Sequence, residues 1–155
     1  MAEQKYQPAK LFTVEQANAM LPLVRAITSD LAALARDVVE RRHRHSLLTS
    51  GRDLKAGDPY ADELTQIVKD IEADTVKLQG YISELKALGV EPKGAVDGLV
   101  DFPSLMDGRV VFLCWKLGEA EVLHWHEVDS GFSGRQSLVV GVADGSDEES
   151  DTFGL

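Results

Sequence analysis

Cysteine occurs once in this 155-residue chain, as Cys114. An internal disulfide is excluded, and with it any cystine-stapled scaffold, so packing or assembly must hold the fold, as befits a reducing compartment. Long apolar runs are missing too: nothing approaches the roughly 20 residues that span a bilayer, and Met1 to Lys10 is polar without a signal-peptide core. The expectation is no membrane role and a cytoplasmic location. Positive charge is scarce. With 16 Lys and Arg against 26 Asp and Glu, the net charge is -10, and long-range repulsion argues against nucleic acid or anionic membrane as partners. No nucleophile elbow, phosphate loop, Cys-x-x-Cys pair or dinucleotide fingerprint occurs, so hydrolase, nucleotidase and redox readings begin without a motif.

The length suits one domain, and 44% hydrophobic residues are ordinary for a globular protein. Asp144, Asp147, Glu148, Glu149 and Asp151 crowd the C-terminus without a basic residue. Residues 1–142 therefore read as one α+β domain and 143–155 as an acidic, solvated tail. Arg41-Arg42-His43-Arg44-His45 runs against the acidic trend. Cations are favoured near a helix C-terminus, which explains the cluster without nucleic acid.

Thr13-Val14-Glu15-Gln16 has the form of a capping box, with Phe12 before it. Pro22 lacks an amide hydrogen and crowds the preceding turn, so a short leading helix is expected to break near 19–21, and the main helix to start at about Pro22. Val24, Ile27, Leu31, Leu34 and Val38 then recur in steps of three and four, with Leu48 in phase after polar Arg41 and His45. Gly51 can end this helix, and Asp58 with Pro59 can open the next. Tyr60, Leu64, Ile67, Ile71, Leu78, Tyr81, Leu85 and Leu88 repeat the spacing, interrupted by Asp74, until Gly89. Folding back at the connection sets Val38 against Ile71, Leu31 against Leu78 and Val24 against Leu85, which predicts a long antiparallel, coiled-coil-like helical hairpin over 12–89. Apolar residues off the seam, such as Val39, Val76 and Ile82, predict further packing against the sheet, a partner protein or a second copy in a homodimer.

After Gly89 the composition turns to β-branched and aromatic residues with turn punctuation, predicting a small antiparallel sheet over 96–142. Gly98–Phe102, Arg109–Lys116 and Glu121–His126 read as strands, with Ser137–Val142 as an edge strand. Pro103 should end the first, and Asp107-Gly108 makes the tight turn into the second.

His124 and His126 sit two apart in the third strand, so both imidazoles project from one face. Two imidazoles at that spacing can close on one divalent metal, zinc or iron, with Glu127 or Asp129 completing a two-histidine, one-carboxylate set. Strict alternation points both carboxylates away, so a bend near Gly131 is needed. An even loop sets Leu113 and Val111 opposite the histidines, whereas a one-residue bulge sets Cys114 and Phe112 there. Without metal, hydrogen bonds to backbone or carboxylate hold such a pair. Arg135 either pairs with Asp129 or Glu127 to pin the glycine loop or holds an anionic ligand. Trp125, with Trp115, is core or flanks a pocket.

The strings Gly98-Leu99-Val100-Asp101-Phe102-Pro103, Asp107-Gly108-Arg109, Leu113-Cys114-Trp115, Leu117-Gly118-Glu119 and His124-Trp125-His126-Glu127, with Asp129, Gly131-Phe132 and Gly134-Arg135, resemble the uncharacterised bacterial domain-of-unknown-function family number 2203. The resemblance covers about Phe12 to Gln136, and Phe12-Thr13 with Glu15, Ala17-Asn18 and Leu21-Pro22 is its main match in the helical half. Members often carry the label division-initiation protein. The resemblance implies a soluble bacterial protein of unassigned activity, with no catalytic residues to transfer. Two functional expectations follow. One is a non-enzymatic binding or assembly protein, dimeric through its helices, with a polar site over His124 to Arg135. The other is a metal-dependent enzyme with ligands His124, His126 and Glu127 or Asp129, and Arg135 orienting substrate.

Overall fold

In the computed structural model, residues 6–51 and 58–138 are described. The expectations for 52–57, for 139–142 of the edge strand and for the acidic tail lie outside them. Two long helices, α1 (Val14–Thr49) and α2 (Pro59–Ala87), precede a five-stranded antiparallel sheet of β1 (Glu91–Gly94), β2 (Leu99–Met106), β3 (Arg109–Lys116), β4 (His124–Glu127) and β5 (Gln136–Ser137). The strands follow one another across the sheet in chain order, a meander with no crossover. No helix among the described residues is long and apolar enough to cross a membrane.

The capping box forms as the sequence dictates: Gln16 N donates to Thr13 Oγ1 and Thr13 N donates to Gln16 Oε1. The expected break before Pro22 does not occur. One helix runs from Val14 through Pro22 to Thr49, and there is no separate leading helix. The reason is the seam. Ala17, Leu21, Val24, Thr28, Leu31, Ala35 and Val38 are all buried, in unbroken steps of four and three that cross Pro22 without a change of phase. Asn18, whose carbonyl loses its helical partner to the proline ring, is fixed by its side chain: Val122 N donates to Oδ1 at 2.7 Å. Tertiary packing on both sides of Pro22 thus outweighs its local cost of about 3 kcal/mol.

Asp58 caps α2 by accepting from Tyr60 N, with Pro59 in the first turn. Leu64, Ile71 and Leu85 are its buried residues. The two helices lie antiparallel, cross-linked by Arg41 to Asp74 and Arg42 to Thr75. Those bonds, with Arg44 to Glu40, occupy the basic cluster. It stands one to two turns before the end of α1, so acidic and hydroxyl partners account for it better than the helix terminus does.

Alternation divides the sheet into two faces. Val100, Phe102, Val111, Leu113, Trp115 and Trp125 pack with Phe12, Leu21, Val24, Leu31 and Leu85 in one core under the helices. Asp107 and Gly108 both take positive φ in the β2–β3 turn, where a left-handed pair matches the twist of a two-residue hairpin. β2 does not end at Pro103. The carbonyl of Pro103 accepts from Phe12 N at 2.7 Å, so this edge of residue 103 points away from β3, and the missing N–H removes no bond from the β2–β3 ladder. β1 went unforeseen because Glu91-Pro92-Lys93-Gly94 carries none of the usual strand formers; it is an edge strand with a register shift at Lys93.

Candidate functional site

The β3–β4 register decides what the histidines meet. Cys114 pairs with His124 and Phe112 with His126, the bulge alternative, so the lone cysteine shares the histidine face. This register puts Trp125 opposite Leu113 on the helix face, and apolar burial of both favours it. The loop into β4 is held to suit: Lys116 N donates to Glu119 Oε1, Trp115 Nε1 to the Glu119 carbonyl, and Val122 N to Asn18.

On the sheet face turned from the helices, Asp101 of β2, Cys114 of β3 and His126 of β4 come together, 2%, 1% and 3% exposed. One ligand atom from each lies within 4.8 Å of the other two. His126 Nε2 is 3.0 Å from Asp101 Oδ2, and its Nδ1 is 2.7 Å from the Glu127 carbonyl. A carbonyl oxygen only accepts, so Nδ1 carries a proton and fixes the ring. The 3.0 Å contact puts a proton between Nε2 and Asp101, since two bare acceptors would repel. The Cys114 thiol also donates to Asp101. Burial raises the Asp101 carboxyl above its ordinary value, and His126 pulls against that rise. Burial, then the nearby Asp101 charge, pushes the Cys114 thiol up to about 12.

A cavity of about 270 Å³ opens over the cluster, lined by Lys93, Leu99, Phe112, Val128, Gly131 and Phe132 besides the three polar residues. Phe112 lies between the His126 ring, at 5.5 Å, and the Tyr6 ring, at 5.4 Å.

The other expected site residues fall elsewhere. His124 shares the face of His126, but its Nδ1 lies 3.7 Å from Glu119 Oε2, and it is outside the three-residue group. Glu127 points to the opposite face, where Arg109 holds it with Nε and Nη2 at 3.1 and 2.6 Å and lowers its carboxyl below the ordinary range. The bend that would have turned it toward His126 is absent at Glu127, and its main-chain carbonyl, not its carboxylate, serves the histidine. Asp129 is exposed in the turn after β4. Trp125 faces the helices beneath the Arg109 guanidinium, away from the cavity. Arg135 pairs with Glu119, at 2.9 and 2.8 Å from its two oxygens, and not with Asp129 or Glu127. Asp101 was missed because it lies 25 positions from His126, a separation that strand spacing does not read. Its signal was a carboxylate inside the apolar run Leu99-Val100-Asp101-Phe102.

A two-helix hairpin joined to a meander whose outer face buries an Asp-Cys-His cluster defines the class of domain. Residues 10–138 match the family described as uncharacterized conserved protein (DUF2203), and the chain belongs to that family. No curated protein and no solved structure matches the chain.

Proposed function

We propose that this is a metal-binding protein that holds one borderline-soft dication, zinc or ferrous iron, on Asp101 Oδ2, Cys114 Sγ and His126 Nε2. The observation that carries the reading is the convergence of these atoms within 4.8 Å, at the base of a cavity. A carboxylate, a thiolate and an imidazole suit ions of this class, and hard cations such as magnesium would reject the sulfur. The Nδ1–H to Glu127 carbonyl bond is the outer support that a histidine ligand needs to present Nε2. Binding displaces the thiol proton and the proton shared by Asp101 and His126, so affinity rises with pH. Held by three protein groups, such an ion would have room for water or a small ligand, as catalytic sites do. We place the protein in the cytoplasm, where reducing conditions keep Cys114 a thiol.

Metal analysis of untagged protein tests this. Wild type should carry about one equivalent of metal, and Cys114→Ser or His126→Ala should carry almost none. Cobalt loading should produce a thiolate-to-metal charge-transfer band that Cys114→Ser abolishes. Equal, negligible metal in folded wild type and both variants removes the proposal.

A second reading concerns assembly. Val39, Leu47 and Val76 leave 55%, 65% and 73% of their surface in solvent on the two helices, which favours self-association through the hairpin. Light scattering should find a dimer that Val39→Glu with Val76→Glu dissociates; a wild-type monomer at every concentration removes this reading.

A further inference from the structure

The floor of the cavity is at most 3% exposed, yet one of its walls is not part of the main sheet. That wall is Val128, Gly131 and Phe132, from the connection between β4 and β5. Its segment is compact: Gly134 N donates to the Gly131 carbonyl and Arg135 N to the Phe132 carbonyl, forming a single 3-10 turn. Gly131 enters this turn at φ 68 and ψ -169, a conformation closed to side chains with a Cβ and suited to a pivot. The far end is a strand of only two residues, β5.

The salt bridge that holds the turn down comes from one arginine. The Arg135 guanidinium lies 4.6 Å from the Phe132 ring centroid and reaches both carboxylate oxygens of Glu119. Glu119 is itself anchored by Lys116 N, and Lys116 Nζ sits 5.7 Å from the same Phe132 ring. Arg135 and Glu119 are 13% and 24% exposed, dry enough for the pair to matter more than a fully wet one. No other charged pair ties this turn to the sheet among the described residues.

We infer that residues 131–135 form a latched cover over the Asp101–Cys114–His126 floor, with Phe132 as the plate, Gly131 as the pivot and Arg135–Glu119 as the latch. Solutes reach the floor when the latch parts and the turn swings on Gly131. For metal, a consequence that rests on the binding reading above, the latch sets how fast an ion enters and leaves while the three ligands set how tightly it binds. A latched site exchanges slowly even at moderate affinity, and changes at Glu119 or Arg135 alter rates in both directions together.

Cys114 is the only cysteine, so its alkylation by iodoacetamide in metal-free protein reports opening with no reference to metal. Arg135→Met and Glu119→Gln should each label about tenfold faster than wild type, and urea below the unfolding transition should barely change the rates, as local opening requires. Ile71→Ala, in the helix pair, weakens the whole fold without touching the latch and serves as the control. Equal labelling in wild type and both latch variants overturns the cover. So does labelling that follows global unfolding in urea, or that Ile71→Ala accelerates as much as the latch variants do. Chelator-driven release of cobalt from loaded protein supplies the second arm. Latch-dependent labelling in a protein that takes no cobalt sinks the metal reading and leaves the cover; cobalt uptake with latch-independent labelling does the reverse.

Discussion

The same three central strands present two unlike faces. Toward the helices β2, β3 and β4 offer Val100, Phe102, Val111, Leu113, Trp115 and Trp125, and every one is in the core. On the reverse they offer Asp101, Cys114, Phe112 and His126, just as deeply buried but under a turn and the segment around Tyr6 instead of helices. Equal burial with opposite chemistry separates two kinds of need. Apolar burial lowers the free energy of the fold directly, at about 25 cal/mol per Å² removed from water. A buried polar trio gains little, because each group surrenders water for one partner, and it persists without penalty only while every partner is present. The helix face is where stability resides; the reverse face adds little to it.

Breaking this contrast should begin on the helix face. Trp115→Ala empties the largest fully buried side chain, and should cost about 3–5 kcal/mol in urea denaturation. A loss below about 1 kcal/mol would mean the two faces do not divide the work as argued. Next comes Asp101→Ala on the reverse face, which strands His126 Nε2 and the Cys114 thiol. It should cost about 1–3 kcal/mol, less than the tryptophan, while metal uptake disappears completely. A stable variant that still loads cobalt with an intact charge-transfer band would separate Asp101 from the ligand set.

The helix hairpin was legible because its seam is a repeat. Seven buried positions of α1 fall on one heptad pattern, and a single exception to local propensity, Pro22, could not break what so many contacts enforce. Asp107-Gly108 was legible for a similar reason, since few dipeptides tolerate positive φ twice. The site was half legible. Alternation brought the two histidines to one face and allowed Cys114 to join them, but the choice between registers depends on a loop pinned by Asn18, over 100 residues away. Local spacing carries no trace of that bond. The partner of His126 was hidden similarly: Asp101 lies 25 positions earlier, and only its intrusion into an apolar strand marked it.

A subtler contrast lies in pH. In metal-free protein the Cys114 thiol stands near 12 when folded against an ordinary 9.0 when unfolded. Its folded value is raised, so its contribution is whole below pH 9 and is lost as pH climbs toward 12, where the unfolded chain ionises and the folded one cannot. Within that window stability should fall by about 1.4 kcal/mol per pH unit from this group alone. The groups around the thiol are Asp101, His126, Glu119 and Arg135, and all four are the same in wild type and Cys114→Ser. The difference between the two proteins therefore isolates the thiol. Thermal midpoints should diverge above pH 9, with Cys114→Ser losing less; parallel curves would place the thiol in contact with water.

The smallest effect tests the boundary between the faces. Glu127 follows a cluster residue in sequence, yet its carboxylate lies on the helix side of the strand with Arg109 while its carbonyl lies with His126. Glu127→Gln removes the charge and leaves the carbonyl in place. Because the Arg109 pair is solvent-exposed, stability should not move beyond measurement error, and metal content should equal that of wild type. The same substitution at a metal ligand would cost ten- to a hundredfold or more in affinity, roughly the penalty seen even for outer-shell supports. A fall in metal content on Glu127→Gln would therefore show the chain bending at residue 127 to offer its carboxylate, and the division of the strand into an apolar packing face and a polar cluster face would have to be redrawn there.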